Sequence, residues 1–419
     1  MKQITLTYSH EAVRRPVRLP GSKSMAARLL MADALSGSRT PLRGLPDCED
    51  TEAMFRAVDA LRRGAPCADM GAAGTSLRFA AALAAATPGA DITLYGTHRL
   101  AQRPLRPLAD ALRKQGARLE PQDEQLWLPL RVRGTRLAGG DVEVDAHISS
   151  QFLSALMLVA PFSEAPTRLL LGGGVPVSMP YVRMTARVMS LFGVEPLIGE
   201  GEVLVPAAPY APPGEVTVEA DWSAAAFIYE AASLLPTGTR IKIASLTPPP
   251  ETAQGDARAA EIFSLLGVAT EFHADGSATL LSGATPQAAR LDLGMEGCPD
   301  MVPALAVGAC LNSVPFRFTG IHHLRAKECD RLAVLADLLS RIGFIVCTDD
   351  DTLSFDPAAQ EEAPAGIPVI APHDDHRMAM AFAIAAIRLP RIVILDPATV
   401  AKSFPSFWEE IARIGFITV

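Results

Sequence analysis

The sequence has little that would make it a metal-binding, disulfide-linked or membrane-spanning protein. Its six cysteines are widely spread and none forms a C-x-x-C pair, which argues against both a zinc site and a disulfide framework. No apolar run reaches the ~18 residues that a membrane helix needs, and the N-terminal stretch lacks the apolar core of a signal peptide. We therefore expect reduced thiols, no metal, no membrane contact and a cytoplasmic location.

Basic residues are also in the minority. Lys and Arg total 38 against 46 Asp and Glu, which gives a net charge of −8. Non-specific binding to nucleic acid needs a basic face, so this composition argues against a nucleic-acid partner. Any anionic ligand has to be held by a local group of cations.

The composition that remains is that of a large globular protein. The chain has 419 residues, of which 49% are hydrophobic and 20% charged, and this predicts two or three domains with well-buried cores. Strand-like segments at residues 142–144, 241–243 and 392–395 alternate with alanine-rich helical segments. This alternation is typical of the α/β class.

Several predicted helices share one kind of beginning, a polar or hydroxyl-bearing cluster followed by small apolar residues. These clusters lie at Ser24, Gly74, Ser150, Asp221, Asp300 and Asp375. From the second cluster onward the interval is about 75 residues, which indicates a repeated supersecondary unit. We interpret the pattern as two domains of three units each.

A boundary between the domains is expected near Glu219, because the proline-dense stretch 205–214 directly precedes the fourth of these helices. The first domain would span residues 21–219, and the second would combine residues 1–20 with 220–419. The chain would then cross between domains near residues 20 and 219. Two crossings would form a clamp that can close.

The first helix start has the properties of an anion site. Pro20 and Gly21 end the preceding strand, and residues 22–24 would occupy the cap and first turn of an apolar helix. Lys23 and Arg28 would add full positive charges to the partial charge of the helix N-terminus, which suits a phosphate or carboxylate. Taken alone, simple capping explains the segment equally well.

Other segments offer the same choice between capping and binding. Ser149, Ser150 and Gln151 open one predicted helix, and Ser178 caps another that contains Tyr181 and runs to residue 192. Cations also recur at element boundaries, at Arg103, Lys327, Arg331, Arg377 and Lys402.

A helix is predicted to begin at Ala326 and to run to Leu339. Lys327 and Arg331 would then share a face, and Glu328 would pair with Arg331. A solvated helix salt bridge explains that run equally well. The His322-His323 pair lacks further ligands at metal spacing.

Taken together and in chain order, these segments resemble the 5-enolpyruvylshikimate-3-phosphate (EPSP) synthase family over nearly the whole chain. The blocks that carry the resemblance are Pro20-Gly21-Ser22-Lys23-Ser24 with Arg28, Ala73-Gly74-Thr75, Arg103-Pro104, Ile148-Ser149-Ser150-Gln151-Phe152, Ser178 with Tyr181, Pro299-Asp300, Lys327-Glu328-Cys329-Asp330-Arg331, Asp375-His376-Arg377-Met378-Ala379-Met380 and Ala401-Lys402-Ser403-Phe404-Pro405. The resemblance implies a two-domain inside-out α/β barrel with three βαβαββ-type repeats in each domain. It also implies that helix N-termini face the interdomain cleft.

The activity that the resemblance implies is transfer of the enolpyruvyl (carboxyvinyl) group of phosphoenolpyruvate to the 5-hydroxyl of shikimate-3-phosphate, with release of phosphate. This step leads to chorismate and the aromatic amino acids. It is an addition followed by an elimination: C3 is protonated, the hydroxyl attacks C2, and the intermediate loses a proton and phosphate. No cofactor and no metal are implied, and we expect a monomer.

The family's site residues carry over position by position. The phosphoenolpyruvate site implies Lys23, Gly74, Arg103, Gln151, Arg331, Arg377 and Lys402. The shikimate-3-phosphate site implies Lys23, Ser24, Arg28, Ser149, Ser150, Gln151, Ser178, Tyr181, Asp300, His323 and Lys327. The candidates for proton transfer are Asp300 and Glu328, assisted by Lys23.

The local sequence also predicts how these acids are charged. The helix N-terminus at Asp300 should favour the ionised form, which suits a base. Lys327 and Arg331 should lower the pKa of Glu328, so acting as an acid would require burial or substrate charge to raise it.

Two positions depart from the family pattern. Ala72 and His323 stand where the family commonly has Asn, and the charge of His323 is expected to vary with pH.

Two alternatives remain at this point. The sister enzyme that transfers enolpyruvyl to UDP-N-acetylglucosamine usually has a loop cysteine ahead of its Arg-Pro pair, and residues 96–103 contain none. A catalytically inactive anion-binding clamp would not need to keep Lys23, Asp300 and Glu328 together.

Overall fold

A computed structural model describes residues 2–11, 14–123, 125–145, 150–172, 178–283, 286, 288–360 and 366–419. Of the predicted site residues, Ser149 lies outside this part of the chain. The α-helices are α1 Lys23–Ser36, α2 Glu49–Arg63, α3 Gly74–Ala85, α4 His98–Ala101, α5 Arg106–Lys114, α6 Ser150–Val159, α7 Met179–Leu191, α8 Trp222–Leu234, α9 Ala259–Leu265, α10 Val302–Leu311, α11 Arg331–Ser340, α12 His376–Ile384 and α13 Phe407–Ala412.

The strands are short. They are β1 Gln3–Tyr8, β2 Leu42–Arg43, β3 Cys67–Asp69, β4 Asp91–Tyr95, β5 Arg118–Pro121, β6 Leu130–Arg133, β7 Gly140–Asp145, β8 Thr167–Gly172, β9 Leu197–Ile198, β10 Glu202–Val205, β11 Val216–Thr217, β12 Arg240–Ile243, β13 Val268–Phe272, β14 Ala278–Ser282, β15 Leu291–Gly294, β16 Phe316–Thr319, β17 Val346–Thr348, β18 Leu353–Phe355, β19 Val369–Ile370, β20 Ile392–Leu395 and β21 Phe416–Thr418.

The chain divides into two compact units. One combines Met1–Pro20 with Glu219–Val419, and the other is Gly21–Val218. We call them the terminal unit and the central unit. Both contain helices and mixed sheets, which places each in the α/β class.

The central unit contains two four-stranded sheets with one strand order. The orders are β3-β4-β6-β5 and β7-β8-β10-β9, in which the first pair is parallel and the other pairs are antiparallel. Helix α3 is buried over nearly its whole length, and its many alanines allow close packing. Helix α2 instead has acids in its first turn and arginines in its last, an arrangement that complements the helix dipole.

The terminal unit repeats that strand order in the sheet β15-β16-β18-β17. In a second sheet, β1 lies between β20 and β21 and is antiparallel to both. Further along, Val17 forms a parallel bridge with Ile243 of β12. The first residues of the chain therefore fold with its second half, and helices α8, α10 and α12 form the apolar centre of this unit.

The helix beginnings predicted from the sequence are largely confirmed. Helices α3, α6 and α12 begin at Gly74, Ser150 and His376, and the 3-10 turn Pro299–Met301 leads into α10. Within the described part of the chain, no helix is both long and apolar enough to cross a membrane.

The prediction of a helix from Ala326 is wrong. Residues His322–Ala326 form a 3-10 turn, and α11 begins only at Arg331. The side chain of Asp330 accepts a hydrogen bond from the backbone N of Ala333 at 3.1 Å and so caps the helix there. Lys327 and Arg331 therefore do not share a helix face.

A buried acid lies in the core of the terminal unit. Glu230, on α8, is fully buried (0% exposed), and neither carboxyl oxygen has a hydrogen-bond partner among the described residues. Burial raises the pKa of this carboxyl well above its ordinary 4.5, so the folded protein holds it in the neutral form.

This acid should make the stability of the protein depend on pH. The folded protein keeps the proton of Glu230 at pH values where the unfolded chain releases it, so wild type loses stability as pH rises above the ordinary value of 4.5. We expect the free energy of unfolding of Glu230→Met, relative to wild type, to rise by up to ~1.4 kcal/mol per pH unit between pH 5 and 7 in urea titrations. Glu251→Met, at an exposed position, is the control. Parallel pH profiles for wild type and Glu230→Met would contradict this assignment.

Candidate active site

The best-defined group of predicted site residues surrounds Arg331, at the first position of α11. Its guanidinium is almost fully buried (1% exposed) and contacts three carboxylates. Nη1 donates to Asp300 at 2.8 Å, Nη2 to Glu328 at 3.0 Å and Nε to Asp375 at 2.7 Å. Together with Lys327, Arg377 and Lys402, these residues form what we call the Arg331 cluster.

Asp300 is the member of the Arg331 cluster with the most cationic neighbours. It accepts from Arg377 Nη2 at 3.0 Å, and the ammonium of Lys327 lies 3.6 Å away. Burial acts to raise the pKa of Asp300, but the charges of Arg377, Lys327 and Arg331 outweigh it and hold the pKa well below 3.8. The prediction that Asp300 is ionised is confirmed, and neighbouring side chains are the main cause.

Glu328 contacts both Arg331 and Lys402, which lies near the C-terminal end of the chain. Its Oε2 accepts from Arg331, and its Oε1 lies 3.3 Å from Nζ of Lys402. Lys402 is buried at the end of the 3-10 turn Pro397–Lys402. The predicted pairing of Glu328 with Arg331 is confirmed, although Glu328 precedes the helix.

Asp375 was predicted only as a helix start and not as a site residue. It is fully buried (0% exposed), caps α12 by accepting from the backbone N of Arg377 at 2.9 Å, and also accepts from Arg331. The local pattern predicts the cap but not the second contact, because Arg331 is 44 residues away in sequence. The carboxylate of Asp375 therefore connects the start of α12 to the guanidinium of Arg331.

In the central unit, Lys23 at the first position of α1 forms an ion pair. Its Nζ lies 2.8 Å from Oδ2 of Asp50, in the first turn of α2, and both side chains are mostly buried. Asp50 was not predicted, because an acidic first turn is usual in helices. The ion pair fixes the ammonium at the start of α1.

Arg28 lies one turn further along α1 and is also buried. Its Nε donates to Thr185 Oγ1 at 2.8 Å and its Nη2 to Ser154 Oγ at 3.0 Å, and the guanidinium stacks over Phe79 at 5.3 Å. Burial lowers the pKa of Arg28 to about 10, so it remains charged at neutral pH. These contacts connect α1 to α6 and α7, and its role in binding a ligand stays a prediction.

Further predicted residues of the central unit lie at the starts of α3 and α6. Gln151 Nε2 donates to Thr75 Oγ1 at 2.9 Å. The guanidinium of Arg103 lies so close to Gly74 that a Cβ added there would be 2.6 Å from Cζ. A side chain at position 74 would therefore displace the Arg103 guanidinium from this place.

The other predicted residues of the central unit lie at helix starts as well. Ser24 is the second residue of α1, Ser150 begins α6, and Ser178 precedes α7, which contains Tyr181. Ala72 lies in the turn before α3.

His323 differs from the expectation for its charge. Neither ring nitrogen has a hydrogen-bond partner among the residues that the structure describes. Burial, together with Lys327 and His322, lowers the pKa of His323 to about 3. The imidazole is therefore neutral near pH 7, and the expectation of a charge that varies in that range is wrong.

The chemistry of the Arg331 cluster follows from its charges. It contains four cations and three carboxylates: Lys327, Arg331, Arg377 and Lys402 against Asp300, Glu328 and Asp375. Such a set can bind an anion, and an ionised Asp300 can accept a proton. No group of three or more His, Cys, Asp or Glu side chains suited to a metal occurs among the described residues.

Solved structures first define the class of fold. The chain superposes on EPSP synthase from Acinetobacter baumannii with a TM-score of 0.76 and 22% identity, covering all of both chains. It superposes on the enolpyruvyl transferase NikO from Streptomyces tendae with a TM-score of 0.73 and 16% identity, covering 100% of this chain and 99% of that one. The fold is thus the two-domain α/β fold of the enolpyruvyl transferases.

Sequence comparison then gives the family. The model of the family EPSP synthase (3-phosphoshikimate 1-carboxyvinyltransferase) matches residues 8–411, and the chain belongs to this family. A 3-phosphoshikimate 1-carboxyvinyltransferase of Bacteroides fragilis (strain YCH46) is 38% identical over 408 residues, which cover 96% of each chain. One from Syntrophobacter fumaroxidans is 36% identical over 430 residues, covering 96% of this chain and 97% of the relative.

The contacts of Arg331 predict its effect on stability. Arg331→Met leaves three carboxylates without their shared cation, and we expect the free energy of unfolding to fall by about 3–5 kcal/mol in urea denaturation. Arg341→Met, at the end of the same helix, breaks an exposed pair with Asp337 and should cost less than ~1 kcal/mol. Equal losses for the two variants would show that the buried cluster contributes no more than a surface pair.

Proposed function

We propose that the protein transfers the enolpyruvyl group of phosphoenolpyruvate to the 5-hydroxyl of shikimate-3-phosphate and releases phosphate. The observation that carries this proposal is the arrangement of the Arg331 cluster in a chain whose family match spans residues 8–411. Both substrates carry a phosphate and a carboxylate, so a site that binds them needs an excess of cations.

The proposed phosphoenolpyruvate ligands are Lys23, Gly74, Arg103, Gln151, Arg331, Arg377 and Lys402. Support comes from the buried guanidinium and ammonium groups of Arg331, Arg377 and Lys402, which already contact carboxylates. The same donors can bind a substrate carboxylate or phosphate.

The proposed shikimate-3-phosphate ligands offer mainly hydroxyls and cations. They are Lys23, Ser24, Arg28, Ser149, Ser150, Gln151, Ser178, Tyr181, Asp300, His323 and Lys327. Neutral His323 offers one donor and one acceptor, and the side chain of Asn likewise combines donor and acceptor groups. Its contribution to binding should therefore not depend on pH near neutrality.

Asp300 and Glu328 are proposed to handle the protons of the addition and elimination. Asp300, ionised by its cationic neighbours, accepts the proton of the attacking hydroxyl. Glu328, between Arg331 and Lys402, exchanges the proton at C3 of the enolpyruvyl group. Lys23 assists by stabilising charge on the reacting groups.

We also propose that each unit consists of three βαβαββ-type repeats of an inside-out barrel, with chain crossings near residues 20 and 219. The shared strand order of three sheets supports this proposal. The division of the chain at Pro20 and Glu219 is consistent with two crossings.

Phosphate release with phosphoenolpyruvate and alternative acceptors tests the proposed function. We expect turnover with shikimate-3-phosphate and none with UDP-N-acetylglucosamine. Product should form in equal amount to phosphate, measured by mass spectrometry, because hydrolysis of phosphoenolpyruvate alone would release phosphate without a product. Absence of turnover with shikimate-3-phosphate would overturn the proposal.

Asp300→Ala tests the proposed base. Removing a general base costs about 10²–10⁴-fold in rate, so kcat should fall by that factor while the affinity for shikimate-3-phosphate changes less. Asp337→Ala, at an exposed position of α11, is the matched control and should leave kcat unchanged. Retention of the wild-type kcat by Asp300→Ala would assign the proton transfer to another group.

A further inference from the structure

A second buried acid lies beside the Arg331 cluster and is absent from the proposed site. Asp256, in the 3-10 turn Gly255–Arg258, is 4% exposed. Its Oδ2 accepts a short hydrogen bond from Ser223 Oγ, at the start of α8. Its Oδ1 has no hydrogen-bond partner among the described residues. An ionised carboxylate with one neutral donor is costly to bury, so this geometry favours a protonated Asp256.

The charges around Asp256 come from several elements. Asp300, on the turn before α10, and Asp221, at the cap of α8, disfavour its ionisation, and Arg377 of α12 favours it. Cys298 lies near it and contacts Arg258, the last residue of its own turn. Arg377 is therefore the cation of α12 that Asp256 and Asp300 have in common.

Arg377 already donates hydrogen bonds to Asp300. Its Nη2 donates to Oδ2 of Asp300 at 3.0 Å, and its Nη1 donates to the backbone O of Asp300 at 3.2 Å. Asp300 also has Arg331 and Lys327 beside it, whereas the described hydrogen bond of Asp256 comes from a hydroxyl. When two nearby acids interact, the proton stays on the acid that has fewer cations close to it.

The pKa values of the two acids follow this division. Burial, and then the charge of Asp300, raise the pKa of Asp256 to about 7. The pKa of Asp300 lies well below its ordinary value. Below about pH 7 the pair therefore holds one negative charge, on Asp300, and Asp256 loses its proton as pH rises through that value.

We propose that Asp256 is a positioning residue for the reaction: in its protonated form it leaves Arg377 to Asp300 and the anionic substrate, and on ionisation it competes for Arg377. The inference rests on the proposed function. It predicts that loss of one proton from Asp256 lowers kcat/KM for phosphoenolpyruvate on the alkaline side of neutrality. Asparagine at this position would mimic the protonated acid at every pH.

The test compares the pH profiles of wild type and Asp256→Asn. The ratio of kcat/KM, variant to wild type, should be constant below pH 6 and rise above pH 7 by up to about tenfold per pH unit, because other titrating groups affect both proteins equally. A structural role alone would lower the activity of the variant by the same factor at every pH. Asp337→Asn is the control and should give a ratio of one throughout.

Ser223→Ala is a second variant that keeps the acid itself. The hydroxyl of Ser223 favours the ionised form of Asp256, so its removal should shift the alkaline fall of kcat/KM to higher pH without abolishing it. If Asp256→Asn does not fold, this shift decides the question. An unshifted profile of Ser223→Ala, or a flat activity ratio for Asp256→Asn, would overturn the proposal.

Unfolding in urea gives a readout that does not depend on turnover. The contribution of protonated Asp256 to stability is complete below its ordinary pKa of 3.8 and is lost as pH rises through about 7. The urea midpoint of Asp256→Asn, relative to wild type, should therefore rise between pH 4 and 7 and level off above pH 8. If wild type shows no turnover but the difference in urea midpoint still changes with pH, only the proposed function is contradicted. If the difference in urea midpoint does not change with pH, the role of Asp256 is contradicted.

Discussion

The structure of the terminal unit depends on the burial of the guanidinium of Arg331. A buried cation without partners would be too costly to keep, so the fold has to bring carboxylates to it. Asp300, Glu328 and Asp375 come from separate segments of the chain, and each uses a different nitrogen or side of the guanidinium. The requirement to neutralise one charge therefore aligns the starts of α10, α11 and α12. The acids that serve the proposed chemistry are held by the same contacts.

The same electrostatics separate the roles of neighbouring acids. Asp300 is surrounded by cations and is ionised, whereas Asp256 is buried with a single described hydroxyl donor and keeps its proton below about pH 7. Identical carboxyl groups thus differ because of their neighbours. Glu230 is a third case, since it lies in an apolar core and is neutral without any role in the cluster.

The sequence predicted the features that depend on neighbouring residues. Helix beginnings at Gly74, Ser150 and His376 follow from local composition and capping, and so does the Glu328–Arg331 pair. The helix from Ala326 was mispredicted because Asp330 is a better cap than the residues before it. The long-range contacts of Asp50, Asp256 and Asp375 were missed for a different reason. Each has an ordinary local explanation as a turn or cap residue, and its partner in space, such as Arg331 for Asp375, is distant in sequence.

Several of the cations proposed to bind substrate are already paired with the protein's own acids. Lys23 contacts Asp50, Arg377 contacts Asp300, and Lys402 contacts Glu328. These pairs lower the cost of burying each cation before a substrate arrives. A phosphate carries a charge of about −1.5 to −2, more than one carboxylate, so it can compete for the same cations. An anionic substrate that takes over these cations would raise the pKa of Asp300. The proposed base would thus gain basicity only when its substrate is bound.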